Sequence, residues 1–263
     1  MAVLNITPDS FSDGGQFLDP AAAVEQALAL VAAGADLLDL GGQSTRPGAT
    51  PISPEAELAR VLPVLQAIRP RVDCPISIDT TSAQVAEQTL TAGADLINDV
   101  SGGTYDPDLL TVVAQWRVPV ILMHLRGTPR TMQTLTDYDD LVGEVTATLR
   151  AHRERAAGRD IDRIILDPGL GFAKTGPQNL ELLRRAGALR DLGCPLLIGP
   201  SRKRFIGEIL DQPDPQQRDW GTAAACCAAV AAGADLVRVH QVAGIRDAIR
   251  VADALWRPSA NPG

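Results

Sequence analysis

Three stretches of the chain repeat one pattern of apolar and polar positions: AAGADLLDL at 32–40, TAGADLINDV at 91–100 and AAGADLVRVH at 231–240. In each, an alanine-rich run stops at a glycine (Gly34, Gly93, Gly233), the residue suited to the left-handed backbone after a helix C-terminus. An Asp then precedes an apolar run of strand length, so each stretch predicts a helix end followed by a buried strand. Five further apolar runs read as strands: AVLNI at 2–6, PISID at 75–79, PVILM at 119–123, RIILD at 163–167 and PLLIG at 195–199. Apolar positions at helical spacing predict helices over 21–33, 54–68, 82–90, 138–157, 179–192 and 243–256.

Eight strands alternating with helices predict an α/β fold, a single-domain (β/α)8 TIM barrel spanning 1–263. A doubly wound open sheet shares the alternation. It does not explain why polar residues recur where strands end. Asn5, Asp39, Asp79, Asn98, His124, Asp167, Ser201, Arg238 and His240 all lie at or just after a strand's C-terminal end, the face on which barrel active sites are built.

Composition then narrows the setting. With 45% hydrophobic residues, the 263-residue chain has apolar material for one large domain or two small ones. A net charge of -8 argues against a nucleic-acid or anionic-membrane surface, so the basic cluster Arg202, Lys203 and Arg204 within IGPSRKRFIG (198–207) is a local device. The four cysteines, at 74, 194, 226 and 227, form no CxxC pair; neither a zinc site nor a disulfide framework is expected, and a reducing cytoplasm fits. The longest uncharged run, 220–234, is too short and too weakly apolar to span a bilayer, and no signal peptide is read at the N-terminus.

Candidate chemistry gathers on the strand-end loops. NITPDSFSDGG (5–15) and GGQSTRPGATPIS (41–53) are punctuated by Gly and Pro, which suggests a two-loop lid; Asp9 and Asp13 are suited to orienting a hard cation or a cationic partner. A carboxylate at the end of a buried strand is costly unless paired, so Asp79 and Asn98 serve either a ligand or a structural hydrogen bond. In ILDPGLGFAKTGPQN, Asp167 is the stronger candidate, and Lys174 reads as a solvated loop charge. Ser201 reads as the N-cap of a short helix beside Lys203. Arg238 and His240, two residues apart, share one side of a strand and suit phosphoryl oxygens. Together these predict an anion subsite of Arg238, His240 and Asn5, and a polar pocket of Asp79, Asn98, Asp167 and Lys203 able to read the edge of a heterocycle. Spacing does not say which heterocycle.

The motifs LNITPDSFSDGG, GGQSTRPGA, SIDT, INDVSGG, DPGLGFAKT, SRKRFIG and VRVH, in this order between residues 3 and 240, resemble the dihydropteroate synthase family. That resemblance implies condensation of 7,8-dihydropterin-6-ylmethyl diphosphate with 4-aminobenzoate, releasing pyrophosphate, in folate biosynthesis. It places the pterin on Asp79, Asn98, Asp167 and Lys203, and the diphosphate on Asn5, Thr45, Arg238 and His240, with Asn5 also a ligand of Mg2+. Phe11, Thr45, Pro47, Phe172 and Ser201, together with Lys203, line the implied aminobenzoate pocket, and Arg202 assists nearby while Arg204 is solvated. Asp79, Lys203, Arg46 and Asp13 take the implied catalytic roles, and a homodimer is implied as well.

The chemistry so implied is dissociative. Diphosphate leaves the exocyclic methylene while magnesium, Arg238 and His240 bear its charge, and the aminobenzoate nitrogen attacks once the loops exclude water. A pterin-binding methyltransferase domain shares the barrel but has no diphosphate to expel, against STRPG and SRKRFIG. An aldolase using Lys203 as a Schiff base, or a non-catalytic pterin binder, would also suit parts of the pattern. Two departures from the family pattern stand out. Gln43 replaces the more usual Glu of GGESTRPGA, leaving the ionic partners of that loop open, and the first strand begins almost at Met1, so a segment plugging the barrel floor is expected to be missing.

Overall fold

The computed structural model describes residues 1–7 and 20–257. Eight short parallel strands follow one another around the molecule: β1 (Ala2–Asn5), β2 (Leu38–Gly41), β3 (Ile76–Asp79), β4 (Leu96–Asp99), β5 (Val120–Met123), β6 (Ile164–Asp167), β7 (Leu197–Ile198) and β8 (Leu236–Val237). β1 to β6 pair in chain order as one sheet, and β7 pairs with β8. Single bridges, Leu166 to Leu196 and Ala2 to Val239, join the two pieces and close the ring. At the closing seam Val3 N–H donates to Val239 C=O (2.9 Å) and Val239 N–H to Met1 C=O (3.0 Å). This is the expected (β/α)8 barrel.

Successive side chains of a strand alternate in direction, so residues two apart share a face. That rule stacks the barrel interior. Met1, Leu37, Leu96, Ile121 and Leu197 form one apolar cluster at the floor, with Ile165 and Leu236 against it. Two residues on from Leu37, Leu96, Ile165 and Leu236 stand Asp39, Asn98, Asp167 and Arg238. Each of these four floor residues therefore carries a polar residue above it. The opposite strand face, with Leu4, Leu38, Leu40, Ile76, Ile78 and Ile97, packs under the helices in the main core.

The helices are α1 (Pro20–Ala32), α2 (Pro54–Ile68), α3 (Ala83–Thr91), α4 (Leu109–Trp116), α5 (Leu141–Ala157), α6 (Gly176–Arg184), α7 (Arg204–Leu210), α8 (Asp219–Ala231) and α9 (Ala243–Trp256). Local chemistry sets their starts. Ser53, Ser82 and Asp140 cap α2, α3 and α5 through their side-chain oxygens, and Thr175 with Gln178 forms a capping box on α6. That box starts α6 three residues before the expected 179, and the expected 179–192 helix breaks into α6 and a 3-10 turn (Ala186–Leu192). The eight-residue α4 was not expected, since two turns leave too few positions for a helical period to register, whereas the seven-residue α7 is the expected short helix beside Lys203, starting two residues later than a Ser201 cap would place it. After α1, α3 and α8 the repeated glycines take φ of +93°, +101° and +93°, as the pattern predicts. In two of the repeats the following Asp reaches the neighbouring strand: Asp95 accepts from Ile76 N–H (2.7 Å) and Asp235 from Leu196 N–H (2.8 Å).

Candidate active site

At the top of the barrel interior one guanidinium holds two carboxylates. Arg238, just past β8, donates from Nε to Asp39 Oδ2 (2.6 Å) and from an Nη to Asp79 Oδ2 (2.8 Å). Asn98 donates to the same Asp39 oxygen (3.1 Å). Asp39 is fully buried, and its Oδ1 has no hydrogen-bond partner among the described residues. Burial pushes the Asp79 carboxyl up against the pull of Arg238; burial also opposes the Arg238 charge, but Asp39 and Asp79 more than offset it and keep it fully protonated. Arg238 is thus also the counter-charge of a buried acidic pair, a task its sequence context did not suggest. Asp39 is a member of this centre that carried no assigned role in the sequence; its signal was a lone acid in the apolar run LLDL.

Beside the centre, Asp167 ends β6 and accepts from Gly169 N–H (2.7 Å), while burial raises its pKa. Lys203 reaches in from the loop after β7, its Nζ 4.3 Å from the centroid of the Phe172 ring. Burial lowers the Lys203 pKa to about 8, with Asp167 opposing. Ser201 is not a helix cap. α7 starts after Lys203, and the Ser201 hydroxyl instead accepts from His240 N–H (3.1 Å) and lies 2.9 Å from His240 Nδ1. Burial and the surrounding cations Arg238, Arg202, Lys203 and Arg46 lower the His240 pKa to about 3, so the ring is neutral; a Ser201 hydroxyl that donates to Nδ1 would leave its proton on Nε2.

Other positions correct the sequence reading. Arg202 turns its guanidinium to Asp219 in a bidentate pair (2.8 and 2.9 Å), while Arg204 is exposed and paired with Glu208, as expected of a solvated charge. Lys174 is no solvated charge either. Only 3% of it is exposed, and its Nζ meets His124 Nδ1 and the carbonyls of Gly169 and Phe172. Glu57, in the first turn of α2, is buried beneath Gly42; burial raises its pKa to about 7, against a hydrogen bond with Thr80. Neither burial shows in sequence, because both residues sit in segments that read as polar.

The second loop is tied down at its base and open at its tip. Gln43 Oε1 accepts from Ile52 N–H (2.9 Å), Arg60 donates to Gly42 C=O (2.8 Å), and Gly48 N–H donates to Pro129 C=O (2.9 Å). Gln43 thus supplies a side-chain acceptor for a backbone N–H, not an ionic partner. Thr45 is half-buried, whereas Arg46 and Pro47 are exposed, with Arg46 close enough to act on His240. Asn5 ends β1, half-buried and paired in register with Gly41, near Asp79. Asp9, Phe11 and Asp13 lie outside the described residues. No cluster of three or more His, Cys, Asp or Glu fit to hold a metal occurs among the described residues.

Buried acids, a lysine against an aromatic ring and a cationic flank thus line one barrel mouth. The family model for pterin binding enzymes matches residues 1–240. A dihydropteroate synthase from Synechocystis sp. is 56% identical over 259 residues, covering 98% of this chain and 90% of that protein. The chain belongs to the dihydropteroate synthase family. Among solved structures, Xanthomonas albilineans dihydropteroate synthase with 4-aminobenzoic acid superposes with a TM-score of 0.91 at 44% identity, over 99% of this chain and 93% of that one. The X. albilineans enzyme in complex with 7,8-dihydropteroate gives a TM-score of 0.88 at 41% identity, over 99% and 93%.

The activity is that of this family: transfer of a dihydropterin-methyl group from its diphosphate ester to 4-aminobenzoate, giving 7,8-dihydropteroate and pyrophosphate in folate biosynthesis. This sets aside a methyltransferase, an aldolase and a non-catalytic pterin binder. Among the described residues no helix is long and apolar enough to cross a membrane.

Proposed function

We propose that dihydropteroate synthesis runs at this mouth, with the pterin ring held by Asp79, Asn98, Asp167 and Lys203. The observation that carries the assignment is the stack of two acids and an amide around Arg238, above an apolar floor and beside Lys203. Carboxylates accept from the amino and N–H groups of the ring, and the Lys203 ammonium, present below its pKa of about 8, donates to ring oxygen and nitrogen. The diphosphate then lies toward Asn5, Thr45, Arg238 and His240. Neutral His240 offers Nε2–H to it, held in that tautomer by Ser201.

Asn5 presents one neutral amide oxygen beside this subsite. Mg2+ keeps most of its waters and takes one or two protein oxygens plus substrate phosphates, so a magnesium ion carried by the diphosphate fits this donor set. When bound, it would neutralise charge on the leaving diphosphate. The aminobenzoate ring lies between Phe172, Thr45 and Pro47, and its carboxylate reaches Ser201. Lys203 spans both sites. As the C–O bond to diphosphate breaks, the buried acids face the positive charge on the pterin methylene; closing the loops around Arg46 excludes water, and the arylamine forms the C–N bond and releases a proton.

A cytoplasmic setting fits the four free thiols. A homodimer would cover apolar side chains on α7, α8 and α9: Ile209, Trp220, which is 90% exposed, Val251 and Leu255. Pyrophosphate release with both substrates, omitting each in turn, tests the assigned reaction. Release should require both, and release from the pterin ester alone would show hydrolysis in place of transfer.

A further inference from the structure

We propose that Lys174 is a positioning residue for the aminobenzoate side of the pocket, its Nζ gathering the carbonyls of Gly169 and Phe172 so as to hold the Phe172 ring against Lys203. Nζ lies 3.0 Å from Gly169 C=O, 2.9 Å from Phe172 C=O and 2.9 Å from His124 Nδ1. An ammonium has three N–H donors, and here all three are used by neutral acceptors. Among the described residues no carboxylate pairs with it directly. Burial without a paired charge lowers its pKa to about 7, with Asp167 pulling the other way and Lys203 and Arg126 adding to the lowering. A buried, unpaired cation is a poor stabilising device on its own. Two of its three contacts, the carbonyls of Gly169 and Phe172, lie on the segment that carries Asp167 and Phe172.

That segment cannot hold its shape through regular structure. Gly169 and Gly171 have φ of +69° and +82°, and Ala173, which has a β-carbon, is also left-handed at +49°. Each turn of it is pinned by a side chain. Asp167 Oδ1 takes Gly169 N–H (2.7 Å), Asn179 Oδ1 takes Gly171 N–H (2.6 Å), and Tyr138 O–H donates to Ala173 C=O (2.9 Å). Lys174 adds the carbonyls of Gly169 and Phe172 to that set. Phe172 then meets Lys203 Nζ at 4.3 Å, and a β-carbon on Gly171 would stand 2.9 Å from Lys203 Cδ. A shift of the Gly169–Phe172 turn therefore moves the Phe172 ring relative to Lys203. Asp167, on β6 in register with Met123 of β5, is held by the barrel itself.

The inference rests on the reading that Phe172 and Lys203 flank the aminobenzoate, and the test separates the two. Steady-state kinetics would be measured for Lys174→Met, which keeps the chain length and removes the donors, for Phe172→Ala, and for the double variant. Phe172→Ala that leaves the aminobenzoate KM unchanged refutes the pocket reading. Given that it raises that KM, Lys174→Met should raise it about tenfold, with the pterin diphosphate KM changed less than about twofold, and the double variant should be no worse than Phe172→Ala alone, since residues acting through one another do not add. A wild-type aminobenzoate KM, equal rises for both substrates, or additive effects would each overturn the positioning role. Melting temperature and circular dichroism would screen folding. Lys174→Gln, which retains amide donors near the turn, replaces Lys174→Met in the same cycle if the latter does not fold, with a smaller rise expected and the same outcomes decisive.

Discussion

Lys203 is asked to be charged in a place that disfavours charge. Burial lowers its pKa to about 8, so its ammonium is present below that pH and lost as pH rises through it. Removing it, in Lys203→Ala, is expected to cut kcat/KM by roughly 10- to 200-fold, the equivalent of about 1.5–3 kcal/mol for a charge-assisted contact; a variant with wild-type kcat/KM ends its role. In the wild type, kcat/KM should fall on the alkaline side near pH 8, and Lys203→Arg, whose guanidinium stays protonated, should move that limb to higher pH. A limb that stays put belongs to another group. Arg238 and His240 should separate in a complementary way. His240→Ala should weaken binding of the pterin diphosphate while sparing the free hydroxymethyl pterin, as read by calorimetry. Arg238→Ala should also lower stability, by about 3–5 kcal/mol in denaturant unfolding, because Asp39 and Asp79 lose their buried counter-charge. An unchanged unfolding midpoint would mean that the two acids find another way to neutralise.

Among the elements, the strand-end loops divide into a held base and a free tip. The second loop is stapled across its foot by Gln43 and Ile52 and rests on Pro129 through Gly48, while Arg46 and Pro47 stand in solvent. Gln43→Glu keeps an oxygen acceptor for Ile52 N–H, so aminobenzoate KM should stay within about twofold of wild type. Gln43→Ala removes it and should raise that KM about fivefold, the worth of one hydrogen bond of about 1 kcal/mol; the reverse order of the two variants would show that charge at position 43, not the staple, sets the loop. The starts of α2 and α3 were legible, since Ser53 and Ser82 sit beside the boundaries their sequence implies; Asp140 and Thr175 start α5 and α6 three residues away from the expected 138 and 179. The short α4 was not legible, because its existence depends on the strands it connects more than on its own few residues, and of α7 only the presence was legible, not its cap.

Across the whole molecule, the barrel presents the pterin site as a preformed stack and the aminobenzoate wall as loops that extend beyond it. The expected consequence is ordered binding, with aminobenzoate second. Titrating 4-aminobenzoate into the protein alone, and then into protein with pterin, pyrophosphate and magnesium, should show tighter binding in the second case by about 1–3 kcal/mol, a usual size for coupling between sites. Equal affinities would mean a pocket already formed. The closed ring also explains which features could be foreseen. Eight strands, their polar ends and the glycines that end three helices are legible along the chain, because strand and helix periods and left-handed caps are local properties of neighbouring residues. The motif residues Asp79, Asn98, Asp167 and Lys203 were legible in the same way, as polar side chains at the ends of apolar runs. The pairing of Arg238 with Asp39, 199 residues away, was decided only when β8 closed against β1 and set their inward faces together. So were the burial of Lys174 and Glu57, and the turn of Ser201 from helix cap to partner of His240. Whether a charged side chain meets water or another charge depends on what the rest of the chain packs around it, and no local pattern carries that information.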